Sequence, residues 1–150
     1  MTKAPDTMGE LMTTDVVTVA PDATVRDALR AMIDHDIGSV VVTEGDAAVG
    51  VFTERDVTRH VLTDAGVLDK RVHELMSTPP IAVPPSEQVI DMFDLMNAKR
   101  IRRLPVVEGG RLVGIVTEGD LRRWVGQVAK EQACMPGAPL PTAGLGQLSG

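Results

Sequence analysis

The chain has 150 residues, 43% apolar and 24% charged, with a formal net charge of -6. This is the composition of a soluble globule of one domain or two small ones. The acidic balance excludes general binding to nucleic acid or anionic membranes, which draws on clustered cations. No apolar run approaches the roughly 18 residues of a membrane span. The single cysteine, Cys134, cannot form an internal disulfide. With no signal-peptide core after Met1-Thr2-Lys3, the expectation is a cytoplasmic protein. Aromatic residues are limited to Phe52, Phe93 and Trp124. A planar ligand would therefore lie between aliphatic side chains and backbone.

In chain order, residues 16–19 form a short β-branched run stopped by Pro21-Asp22. The next helix carries Val25, Ala28, Leu29 and Met32 on one stripe, with Asp22 or Thr24 as its cap. Residues 39–43 and 47–52 pair as a hairpin through Glu44-Gly45-Asp46. A closing helix spans about 56–62. Residues 63–72 make a linker in which Lys70 and Arg71 read as solvated charges. The pattern then recurs. A strand is expected at 81–83, a stop at Pro84-Pro85, and a cap at Ser86. The second helix stripe is Val89, Met92, Phe93 and Met96. A hairpin of 104–107 and 111–116 turns at Glu108-Gly109-Gly110, and a closing helix spans about 120–130. Residues 132–150, rich in Gly, Pro and Ala without a period, read as a flexible tail.

The recurrence is a true repeat. Placed over 75–121 without a gap, 11–57 matches at 17 of 47 positions. The fold class is therefore α+β with two like β-α-β-β-α units: 9–62 and 73–128, joined by 63–72. Each unit is expected to cover the other's apolar face. The sharpest match sets Gly50-Val51-Phe52-Thr53-Glu54-Arg55-Asp56 against Gly114-Ile115-Val116-Thr117-Glu118-Gly119-Asp120. Gly50 and Gly114 permit a close approach that a Cβ would block. Thr53 and Thr117 stand where a strand hands over to a helix, beside amides that favour anions. Asp56 and Asp120 lie in the first helical turn, where a carboxylate can accept from both ribose hydroxyls. The other reading is that Thr-x-x-Asp merely caps its helix.

Two tandem units, each ending in Gly-hydrophobic-x-Thr-x-x-Asp, with Leu-Met near the start of each and Leu104-Pro105-Val106-Val107 in the second, resemble a tandem cystathionine-β-synthase (CBS) domain pair. The resemblance covers about residues 9–125. It implies two units packed sheet to sheet about a pseudo-twofold axis, disc-like homodimers, and adenine nucleotides or adenosyl compounds bound in two clefts. One cleft would join Thr53, Arg55 and Asp56 to Ile81, Ile101, Arg102 and Arg103 of the opposite repeat. The other, weaker cleft would join Thr117 and Asp120 to Val17, Ile37, Gly38 and Ser39. Guanidinium forks suit phosphate, so the Asp56 cleft is expected to take the phosphorylated nucleotide. Arg102 and Arg103 could also be plain helix-end charges, the reading given to Lys99 and Arg100.

The resulting expectation is a non-enzymatic sensor or regulatory module for AMP, ADP or ATP, with S-adenosylmethionine or NAD(H) as alternatives. No cofactor is required, and an unidentified protein target is a further partner. A structural protein with ligand-free clefts is the competing reading. CBS units also occur inside inosine-monophosphate dehydrogenase, but a catalytic barrel of roughly 250 residues does not fit here. Asp34, His35, Asp36, His60 and His73 lack metal-ligand spacing, and Cys134 has no partner base. Arg59 and Arg123 recur at one offset and read as solvated.

Overall fold

In chain order the elements are α1 (Met8–Leu11), β1 (Thr18–Val19), α2 (Val25–His35), β2 (Ser39–Glu44), β3 (Ala47–Thr53), α3 (Glu54–Thr58), α4 (Val89–Lys99), β4 (Arg103–Glu108), β5 (Arg111–Thr117) and α5 (Glu118–Ala133). Short 3-10 turns at Val67–Asp69 and Val72–Glu74 fill the region between α3 and α4. The structure is a computed structural model and describes residues 3–133, so Cys134 and all but the start of the expected tail lie outside it. The described chain forms two units. One holds 15–82 and 107–113, the other 3–14, 83–106 and the residues from 114 onward.

In the first unit, β1 runs parallel to β2 with Thr18 opposite Val41, and β2 runs antiparallel to β3 with Val41 opposite Val51. The Thr24 side chain caps α2 by accepting from the Asp27 N–H at 3.1 Å. The helix buries Val25, Ala28 and Met32 in one cluster with Val40, Val42, Phe52, Val57 and Val72. The periodicity of its apolar residues thus decides which face turns inward. In the second unit, α4 buries Val89, Met92, Phe93 and Met96, while Leu104, Val106, Val116 and Leu121 are buried from the hairpin and α5. The Phe93 and Trp124 rings lie 6.3 Å apart, and the Trp124 indole N–H donates to the Pro5 carbonyl at 2.7 Å.

The segment leading into each repeat packs with the hairpin of the other. Thr13 exchanges backbone bonds with Ile115 at 2.9 Å each way, and Met8 donates to the Glu87 carbonyl at 2.8 Å. Sixty-four residues on, Ser77 exchanges with Val51 at 3.0 and 3.2 Å, and Val72 donates to the Ala23 carbonyl at 2.8 Å. This places Met12 on Gly114 and Met76 on Gly50. A Cβ on Gly50 would stand 2.6 Å from the Met76 sulfur and 3.0 Å from the Ser77 carbonyl oxygen. The close approach anticipated at both glycines is made by a methionine. The spatial units therefore cut across the repeats: 9–14 lies with the second, and 73–82 with the first.

Several expectations need correction. Residues 81–83 make one parallel bridge, Val83 to Val106, and no strand. In the first repeat the Val41 N–H donates to the Val17 carbonyl. Its counterpart Pro105 has no N–H to give, so the pairing stops short. Ser86 does not cap α4. The cap position is Gln88, whose side chain makes no cap bond, and the Val89 N–H donates instead to the Asp6 carbonyl at 2.9 Å. Neither linker cation is merely solvated. Lys70 pairs with Asp64 at 2.8 Å, and Arg71 donates to the Asp22 carbonyl at 2.9 Å. The closing helices are also unequal, five residues in α3 against sixteen in α5.

Candidate functional site: two strand-to-helix corners

Each hairpin ends in a threonine that opens the next helix. Thr53, at φ -125° and ψ 162°, is still extended, and its Oγ1 accepts from the Asp56 N–H at 3.3 Å. Asp56 Oδ2 accepts in return from the Thr53 N–H at 2.9 Å and from its hydroxyl at 3.2 Å. The second repeat makes the same box. Asp120 Oδ2 accepts from the Thr117 N–H at 2.9 Å and its hydroxyl at 3.0 Å, and Thr117 Oγ1 accepts from the Asp120 N–H at 3.2 Å. Orphan amides at a helix start are costly, and this reciprocal arrangement satisfies two backbone donors locally, the threonine and aspartate N–H groups. The capping reading of Thr-x-x-Asp is therefore realised in both repeats. It spends one carboxylate oxygen, Oδ2, and leaves Oδ1 outside the box. Asp56 and Asp120 are 8% and 7% exposed.

The segment before each hairpin lies against the corner of its own repeat. The Glu54 N–H donates to the Gly38 carbonyl at 3.0 Å, and Ser39 stands opposite Thr53 in the β2–β3 register. The Glu118 N–H donates to the Arg102 carbonyl at 2.9 Å. These segments start from left-handed helix ends, Asp36 at φ 53° and Arg100 at φ 55°. Both residues pay the cost of a Cβ in that region, which turns the chain sharply from helix to strand. Arg100 is thus a helix terminus, and Lys99 sits in the last turn of α4.

Of the expected site residues, Thr53, Arg55, Asp56, Val17, Ile37, Gly38, Ser39 and Ile81 belong to one unit, and Thr117, Asp120, Ile101, Arg102 and Arg103 to the other. Arg55 and Arg102 are exposed, Arg103 and Ile101 half-buried, Ser39 buried, and Ile81 48% exposed. Sequence reasoning missed three contacts. His60 Nδ1 bonds the Asp56 carbonyl at 2.8 Å, one turn along the chain. The methionines cover the glycines. Arg123, read as solvated, pairs with Asp120 Oδ1; its i, i+3 spacing from Asp120 was the available signal. Asp64 is held below the usual carboxylate range, first by the Lys70 ammonium and then by the Gly66 N–H. Lys70 and Lys3 are held above the usual lysine range by Asp64 and Asp6.

Among the described residues, no group of three His, Cys, Asp or Glu side chains could hold a metal ion, and no helix is long and apolar enough to cross a membrane.

The chain matches the CBS domain model twice, at residues 8–63 and 72–127. It is 36% identical over 124 residues to the CBS domain-containing protein YhcV of Bacillus subtilis, covering 83% of this chain and 87% of that one. An inosine-5'-monophosphate dehydrogenase of Methanocaldococcus jannaschii is 35% identical over 82% of this chain but only 25% of its own length. CBSX2, solved in complex with AMP, superposes with a TM-score of 0.75 at 28% identity, covering 83% of this chain and 98% of that one. The CBS domain pair of protein MJ0100, in complex with 5'-methylthioadenosine and S-adenosyl-L-methionine, gives 0.72 at 25% identity over 81% and 98%. With two copies of the domain model spanning most of its length, this chain belongs to the CBS domain family.

Proposed function

We propose that the protein is a regulatory CBS pair that binds an adenine nucleotide or adenosyl compound through Asp56 and Asp120. The observation that carries this is the duplicated corner, in which a nearly buried carboxylate is fixed by a helix cap and keeps one oxygen outside it. Such an oxygen suits a ribose hydroxyl, and the AMP and adenosyl complexes of similar CBS pairs support that ligand class. Thr53 and Arg55 serve the Asp56 site, and Thr117 serves the Asp120 site. Ligand that prefers one arrangement of the repeats shifts the population toward it, and a homodimer face or a protein target reads that shift. This acts on a partner's activity, not by catalysis in the chain itself.

A second assignment of the phosphate is favoured by one bond. Because the Glu118 N–H donates to the Arg102 carbonyl, Arg102 stands at the Asp120 corner of its own unit. Thermal unfolding with AMP, ADP, ATP, S-adenosylmethionine and NADH tests the whole reading. Ligand at 100 times Kd adds about 2.7 kcal/mol, a rise of roughly 5–10 °C. No rise with any of them leaves a structural or interaction protein, a role the self-satisfied capping boxes would support. Arg102→Ala measured in Asp56→Asn and Asp120→Asn backgrounds decides the phosphate. The background in which it no longer weakens AMP has lost the acid that shares its site.

A further inference from the structure

The two corners differ at one atom. Asp120 spends Oδ2 on its capping box with Thr117 and Oδ1 on the Arg123 guanidinium, so both carboxylate oxygens are occupied by near neighbours in the chain. Asp56 carries the same box, yet its counterpart pair with Arg59 does not form among the described contacts. The sequence supplies the reason. Residue 119 is glycine where the first repeat has Arg55. A Cβ on Gly119 would meet Arg123 Nη1 and Thr117 Oγ1 in ordinary contact at 3.7 Å each, so the guanidinium lies beside residue 119 as it reaches the acid. A long side chain at 119 would stand in that path. The Arg123 side chain is 74% exposed and that of Asp120 9%, so the arginine can swing into solvent while the acid stays fixed.

Resting on the proposed ribose role of Asp120, we infer that Arg123 is a specificity-determining gate: its guanidinium occupies the oxygen a ribose would use and makes the Asp120 site the weaker of the two. A ribose diol must displace it, whereas Asp56 is open from the start. Ligand binding is thereby staggered, and the second site answers only at higher concentration.

The test uses adenosine, which has no phosphate for a free arginine to attract, titrated by calorimetry into the full chain. Asp56→Asn isolates the Asp120 site. In that background Arg123→Ala is expected to tighten adenosine about fivefold, the upper value of an exposed ion pair. Arg122→Ala, which removes only the pair with Glu118, leaves it unchanged. Raising salt from about 0.05 to about 0.5 M, which shortens the screening length about threefold, tightens adenosine with Arg123 present and not with alanine there. Unchanged or weaker adenosine binding by the Arg123→Ala chain overturns the gate while leaving nucleotide binding intact. Absence of adenosine and AMP binding in wild type and every variant instead defeats the binding reading beneath it.

Discussion

Gly50 and Gly114 illustrate how one residue type is fixed by a neighbour far along the chain. Each lies under a methionine from the segment that leads into the other repeat, with no room for a methyl group. Gly50→Ala is expected to cost about 1–3 kcal/mol, the usual penalty of overpacking. Urea unfolding measures it, and pairing with Met76→Ala should recover part of the loss. At the linker, the Asp64–Lys70 pair sets a pH dependence. Because the Asp64 carboxyl is lowered in the folded chain, its contribution is present above the usual carboxylate value of about 4 and is lost as pH falls through the folded value. Because Lys70 is raised, its contribution holds below the usual lysine value and is lost as pH rises through the folded one. Asp64→Asn should therefore lower the urea midpoint at pH 7 and merge with wild type in strong acid.

At the scale of elements, the repeat lets one helix serve as control for its twin. α2 and α4 have eleven residues each, but Thr24 caps the first while Gln88 leaves the second without a side-chain cap. Gln88→Thr is expected to add about 1 kcal/mol, raising Tm by roughly 2–4 °C, read by calorimetry. Helix stripes and hairpins were legible because their periods are local: Val25, Ala28 and Met32, or Val89, Met92 and Met96, announce a buried face in a few residues. The Thr-x-x-Asp box was legible as a choice between cap and site, and its capping half is satisfied entirely within four residues. What was not legible depended on partners distant in sequence. Pro105 removes a strand through a bond that its own segment does not announce. The Asp6 carbonyl takes over a duty assigned to Ser86.

For the whole molecule, the decisive fact is that neither unit is a single run of chain. The unit with Asp56 is nearly continuous, from 15 to 82, and adds a hairpin tip whose Leu112 N–H bonds the Asp46 carbonyl at 2.8 Å. The unit with Asp120 draws its opening segment from 3–14, held by bonds to Glu87, Pro85 and Ile115 and by Trp124 on Pro5. Deleting residues 1–14 should expose Gly114, strip α4 of its Asp6 acceptor and lower amide protection at Val89 and Val116. Protection at Val40 to Val42 should persist in hydrogen exchange. Equal loss in both places would mean that the two units melt as one.

The crossing of Met12 onto Gly114 also dictates an order of events at the ribosome. The methionine emerges 102 positions before the glycine it must cover. One half of the protein can therefore begin to fold while synthesis continues, whereas the other stays open until Gly114 and its strand have been made, with Met12 kept waiting in solution for its seat.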